Sequence, residues 1–302
     1  MSRDSTAQGT DNSTTIKISA SWARQTPPDP DAVLFHGTSG RNALAILESG
    51  LMPRAMTGSN NFGKQDLSSR EDCVYLTDRY HFCHAVHATT HVARESAAAI
   101  VEIHLNKLNF KALRPDEDSI LTIEERAAGR KWEGESIAER MKHARRSMDA
   151  NASLWCETLS IFGVIAHVGA IPRRALGRIA LFHVPNTLTD LLNPPESDTG
   201  AAAALGEYVE RLGLPMVRMA TRWAFGDDLS TEDAQVLVQS AERAGLIEDS
   251  NDPRFLADIR ALNEEKRFSV EASASRSRRD WDDLRRFCRP RQRLSAWQPA
   301  PY

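Results

Sequence analysis

Several side chains in this chain are of types that could contact a polar, partly aromatic ligand. His36 ends an apolar run in L-F-H-G-T-S (Leu34–Ser39), and an imidazole can orient a hydroxyl group without ionising. The adjacent Gly37 allows the close backbone approach that a ligand amide needs, and Thr38 adds a hydroxyl beside it. Tyr75 lies within V-Y-L-T-D (Val74–Asp78), where a flat aromatic face suits a cationic ring by roughly 1 kcal/mol or more when desolvated. Because stacking needs the ring, Tyr75→Phe is expected to be mild. Tyr80 could supply a second ring. Arg54 closes G-L-M-P-R (Gly50–Arg54), and a guanidinium binds paired phosphate oxygens in bidentate fashion.

These residues need elements to place them. A-V-L-F-H-G from Ala32 reads as a short buried strand, followed by a helix over Asn42–Ser49 capped by Thr38 or Ser39 and stopped by Gly50 and Pro53. Residues 55–72 form a long polar loop, a length that is often functional. C-V-Y-L-T is a strand and a helix follows from Tyr80 to Arg94. A-A-I-V-E-I-H-L (Ala98–Leu105) is the best central strand. A charged helical stretch runs from Ile120 to Leu159. G-V-I-A-H-V and R-I-A-L-F-H-V are two further strands joined by G-A-I-P-R-R. Helical periodicity returns over 200–268, with a domain boundary near 190–199.

The chain has 302 residues, 41 % hydrophobic and 26 % charged, with a formal net charge of −3. That is globular composition, and it gives no whole-molecule grip on nucleic acid. Four scattered cysteines without a C-x-x-C pair exclude a disulfide framework and read as the reduced thiols of a cytoplasmic protein. Residues 1–30 lack a signal-peptide core and read as a disordered leader; no apolar run nears the ~20 residues needed to cross a bilayer.

The order of these fragments (the His-Gly strand, a helix ending G-L-M-P-R, a polar loop, V-Y-L-T-D, a helix, then A-I-V-E-I-H-L) resembles the ADP-ribosyltransferase superfamily. The branch it is most similar to contains the diphtheria toxin and the poly(ADP-ribose) polymerases; DNA-modifying toxin transferases and RNA 2′-phosphotransferases share the order. The resemblance covers about half the chain. It implies an α+β domain over 31–190, of two packed, largely antiparallel split sheets with flanking helices and a cleft between them. A C-terminal helical domain (200–270) and a basic tail (271–302) would follow. It implies NAD as co-substrate, with His36 on the adenosine-side ribose, Gly37 on the nicotinamide carboxamide, Tyr75 stacked on nicotinamide, and Arg54 near the phosphates. Thr38 and Tyr80 complete the cofactor set. The implied activity is mono-ADP-ribosyl transfer to a protein or nucleic acid, in the setting of a toxin, effector or defence enzyme. The alternatives are an RNA 2′-phosphotransferase or a non-catalytic NAD or ADP-ribose sensor.

Many transferases of this family place a glutamate at the start of the late strand, where it stabilises charge as nicotinamide leaves. This chain has Gly163–Val164 there. Glu157, seven residues before Val164, is the nearest acid and the candidate third catalytic residue, with Glu102 and Glu135 behind it. Alternatively the position is apolar, as in the RNA 2′-phosphotransferases. His81, His84, His87 and His91 cluster around Cys83 on one helix, but without H-E-x-x-H no metal is expected. Residues 276–293 hold eight Arg against three Asp. With Trp281 and Phe287 they suit a nucleic-acid or protein contact, in a tail dispensable for NAD binding.

Overall fold

The computed structural model describes residues 29, 31–58, 69–93, 95–128, 136–184, 213–243 and 261–289. It is an α+β protein built on one seven-stranded antiparallel sheet, β4-β5-β2-β1-β3-β6-β7. The strands are β1 (Val33–Ser39), β2 (Cys73–Thr77), β3 (Ala97–His104), β4 (Leu113–Pro115), β5 (Val164–Val168), β6 (Leu176–His183) and β7 (Arg267–Glu271). The helices are α1 (Gly40–Ser49), the single turn α2 (Arg54–Thr57), α3 (His81–His87), α4 (Glu117–Ala128), α5 (Ile137–Ala150) and α6 (Trp155–Phe162). Three more follow: α7 (Leu214–Ala224), α8 (Thr231–Arg243) and α9 (Arg278–Phe287).

The two separate sheets implied by the resemblance are here one ladder with a weak seam. β1 pairs with β3 along its whole length, from Val33↔His104 to Ser39↔Ala98, and β2 pairs with all of β5. Between β1 and β2 a single pair, Phe35↔Thr77, holds the two halves together. Strand alternation then sorts the core. Leu34, Val101 and Ile179 face α1 and α9, whereas Phe35, Ile100 and Phe182 face α3 and α7. β3 is buried on both faces, which explains its nearly unbroken apolar run. On the β2–β5 half, Cys73 and Ala166 pack beneath Ile120 and Ile123 of α4 and Met148 of α5.

Local chemistry sets the helix ends. Ser39 caps α1 by accepting from the Asn42 amide, so of the two expected caps it is the serine that serves. Thr38 instead takes the Asn42 side-chain amide at 3.2 Å. The helix expected to run to Arg94 keeps α geometry only to His87, and residues 88–93 form a wider π turn. Here the hydroxyls of Thr89 and Thr90 donate to the carbonyls of Ala85 and Val86, a side-chain bond that competes with the backbone ladder. The charged stretch 120–159 resolves into α4, α5 and the start of α6, and the short β4 before it was not legible at all.

The C-terminal half was expected to be helical and separate. The boundary near 190–199 lies outside the described residues. α7 brings Met216 and Trp223 into the same core as Phe82 and Phe182, and β7, read from the sequence as helical, extends the sheet beside β6. Part of the expected basic tail also belongs to the core. Leu284 and Phe287 of α9 are buried, and the Phe287 ring lies 4.2 Å from His183 and 4.8 Å from Phe268 between centroids. Among the described residues, no helix is long and apolar enough to cross a membrane.

Candidate functional site

The β1–β2 seam is where two of the residues singled out from the sequence, His36 and Tyr75, meet. α3 packs on β1, β3 and α7, while α4 packs on α5 and α6.

His36 sits one residue past the single pair. Its Nδ1 lies 3.0 Å from the carbonyl oxygen of Tyr75, across the seam. A carbonyl only accepts, so Nδ1 carries the proton and Nε2 is left with its lone pair. Burial lowers the His36 pKa from its ordinary value, against the raising effect of the Tyr75 bond. The imidazole is thus held neutral, oriented and able to accept from a hydroxyl. Burial, then the nearby His36 and His87, brings His84 of α3 down to about 4. Tyr80 stands at the head of α3 with its ring edge-on to His84, 6.4 Å between centroids.

Gly37 has a structural reason of its own. A Cβ there would lie 2.0 Å from the His81 carbonyl oxygen and 2.5 Å from the Ala85 nitrogen, both backbone atoms of α3. Only a glycine lets α3 lie this close to β1.

Tyr75 is met by His36 through its backbone, while its ring lies over the Cys73–Ile120–Met148 cluster, half-buried. Its hydroxyl donates to the Glu117 carboxylate, 2.6 Å from either oxygen. The amide of Arg70 donates to the same carboxylate at 2.8 Å and to the phenol oxygen at 2.9 Å. Burial, then Glu117, raises the Tyr75 pKa well above the ordinary value. A Phe at 75 would strip a buried carboxylate of its phenol, so the substitution is not the mild one that ring stacking alone suggests.

Arg54 is committed within the protein: Nη2 donates to the Ser69 carbonyl at 2.8 Å and pairs with Glu71 at 3.3 Å, bracing the two ends of the long loop. Arg79 is likewise engaged, paired with Asp78 and reaching the carbonyls of Leu159, Ser160 and Ile161 at the C-terminus of α6. Glu157 lies in the first turn of α6 with Oε2 buried and without a hydrogen bond. Among the described residues no hydrogen bond links it to His36 or Tyr75. Glu102 forms an ion pair with Arg178 at 2.8 Å between β3 and β6, and Glu135 lies outside the described residues. Val164 opens β5 opposite Thr77.

The helix of histidines is not a metal cluster among the described residues. His81 is buried with Nε2 2.6 Å from Thr221 Oγ1, tying α3 to α7; burial, aided by His84, brings it down to about 3. The His91 side chain lies outside the described residues. On α9, Arg285 and Arg286 pair with Asp282 and Asp283, and Arg276 and Arg285 flank the Trp281 ring at 5.8 and 5.6 Å.

The residues missed from the sequence are Glu117, buried to 3 % exposure, and its neighbour Asp116. Asp116 caps α4 through the Ser119 amide at 3.2 Å, and burial with Asp118 and Glu117 pushes it up to about 7. R-P-D-E-D-S reads as an ordinary acidic helix start, and nothing in it announces a partner 42 residues upstream. No protein-family model matches the chain, and no curated protein matches it in sequence.

Proposed function

We propose that the chain binds NAD along the β1–β2 seam and transfers ADP-ribose from it to a macromolecular acceptor. The observation that carries this reading is the pairing of His36 with Tyr75 across the seam between β1 and β2, with Nδ1 donating and Nε2 left as an acceptor. These residues fit the group at both ends: an oriented acceptor suits a ribose hydroxyl, and a half-buried aromatic ring suits nicotinamide. The pyrophosphate is the weaker fit, since Arg54 and Arg79 are both engaged with the protein itself. Bound NAD would supply ADP-ribose by loss of nicotinamide. His36 would hold the adenosine-side ribose, Gly37 would present its backbone and Tyr75 its ring, and Glu157 stands as the candidate carboxylate.

Val164 favours a second reading. It stands at the head of β5, and if that is the third catalytic position its side chain there is apolar, as in the RNA 2′-phosphotransferases.

Incubation with NAD and candidate acceptors, followed by mass spectrometry, tests both. Free nicotinamide with ADP-ribosylated acceptor supports transfer, and a cyclic phosphate product supports the phosphotransferase. Intact NAD with measurable binding leaves a sensor. His36→Ala should weaken NAD by at least about 1–2 kcal/mol, and unchanged affinity by calorimetry would remove His36 from the site.

A further inference from the structure

Glu117 is a carboxylate placed at real expense. It is buried, and burial raises its pKa; a buried charge is costly unless hydrogen-bonded. Its bonds are the Tyr75 hydroxyl at 2.6 Å and the Arg70 amide at 2.8 Å. Both groups face it as donors, so the form this environment serves is the carboxylate, which only accepts. α4 could have begun without it, because Asp116 already supplies the cap. Among the described residues, the side chain that hydrogen-bonds Glu117 is that of Tyr75.

A phenol that donates to a carboxylate gains electron density in its ring, which makes the π face more negative. It is also fixed at its far end, so the ring keeps one orientation. Both effects bear on the same ligand property. The oxidised nicotinamide ring is a cation and the reduced ring is neutral, so a more negative face holds the first and is indifferent to the second.

On the reading that Tyr75 stacks on nicotinamide, we infer that Glu117 is a positioning residue that, through the Tyr75 hydroxyl, makes the site select oxidised over reduced nicotinamide dinucleotide. It acts at a distance of one aromatic ring and does not touch the ligand.

The test is calorimetry at pH 8 with three probes: NAD⁺, NADH and ADP-ribose. Wild type, Glu117→Gln and Tyr75→Phe are compared, with a thermal melt of each. Glu117→Gln keeps shape and one acceptor but removes the charge. A cation–π difference in a desolvated site corresponds to about 3- to 30-fold in affinity. The expected result is a loss of that size for NAD⁺ alone, with NADH and ADP-ribose unchanged. If Glu117→Gln does not fold, Tyr75→Phe is read by the ratio of NAD⁺ to NADH affinity, which should fall because the ring stays and the coupling is broken, while a loss common to all three probes reports only the stranded Glu117 carboxylate. Equal losses for all three probes make Glu117 a purely structural anchor and overturn the inference, as do unchanged NAD⁺ affinities. If wild type binds ADP-ribose but shows no preference for NAD⁺ over NADH, the inference fails while an ADP-ribose site stands. If wild type binds none of the three, the underlying NAD reading fails and the inference falls with it.

Discussion

Replacing Gly37 by alanine separates its two proposed uses, as a backbone that faces a ligand and as the floor on which α3 rests. The added Cβ would stand 2.0 Å from the His81 oxygen and 2.5 Å from the Ala85 nitrogen, so the nearer contact falls more than an ångström short of ordinary van der Waals separation. Neither obstacle is a side chain that can swing aside. Relief requires α3 to lift from β1, which would also disturb the His81–Thr221 bond and the packing of Phe82 on Phe182. Overpacking of a rigid core costs typically about 1–3 kcal/mol and occasionally more, and the backbone on backbone contact puts this case at the upper end. A loss of about 3 kcal/mol corresponds to a melting temperature lower by roughly 6–12 °C. Thermal unfolding of Gly37→Ala without any ligand measures it, with Gly58→Ala as a control: Gly58 has open space around its Cβ position and should lose only the strain of a positive φ, about 1–2 kcal/mol. A melting temperature for Gly37→Ala equal to wild type, or a loss no greater than that of Gly58→Ala, would refute the packing argument.

Acid should destabilise the fold through its buried imidazoles. His81 and His84 sit at about 3 and about 4, below the 6.5 of an unfolded chain. Unfolded chains therefore bind protons that the folded state refuses, and stability falls as pH drops from 6.5 towards 3. Asp116, held up to about 7, works in the opposite sense between pH 7 and 4, so the comparison that isolates the imidazole is His81→Gln. Its urea midpoint should fall less than that of wild type between pH 7 and pH 4. Phe287→Ala should cost about 3–5 kcal/mol in urea unfolding, because the ring is buried against His183 and Phe268; a cost near zero would return α9 to the status of a loose basic tail. Glu157→Gln should reduce NAD turnover by orders of magnitude with binding retained if Glu157 is the acid of the reaction, and undiminished turnover in a radiolabelled-NAD assay removes it.

Strands with a strong apolar pattern were legible from the sequence, and those whose burial depends on distant residues were not. A-A-I-V-E-I-H-L and R-I-A-L-F-H-V announce themselves because both faces of β3 and β6 are covered. β7 alternates half-buried and exposed residues as an edge strand, and R-F-S-V-E gives little to distinguish it from a helix. β4 is three residues long and ends in proline, which suits a sheet edge and carries almost no periodic signal. In the site, the His36–Gly37 and Tyr75 strands were readable as fragments in order. The Glu117 partnership was not, since a hydrogen bond between residues 75 and 117 depends on the register of β4, β5 and β2. The partners of Arg54 within the protein, Ser69 and Glu71, were hidden for a similar reason, since both lie well downstream in sequence and no local pattern states the contact.

The position of β7 at the rim of the sheet also bears on how the chain is made. β6 ends at His183, and the strand that covers its outer edge does not begin until Arg267. At synthesis rates of about 5–20 residues per second, that interval lasts roughly 4–17 s. Among the described residues no other strand is made in that interval to pair this edge, which is rich in leucine, isoleucine and phenylalanine and is a template for wrong pairing with a neighbouring nascent chain. The helices α7 and α8 are made within that interval and can shield one face of β6, but not its edge. Yield in the cell should therefore depend on holdase chaperones and on slow expression more than the equilibrium stability of the finished sheet would indicate.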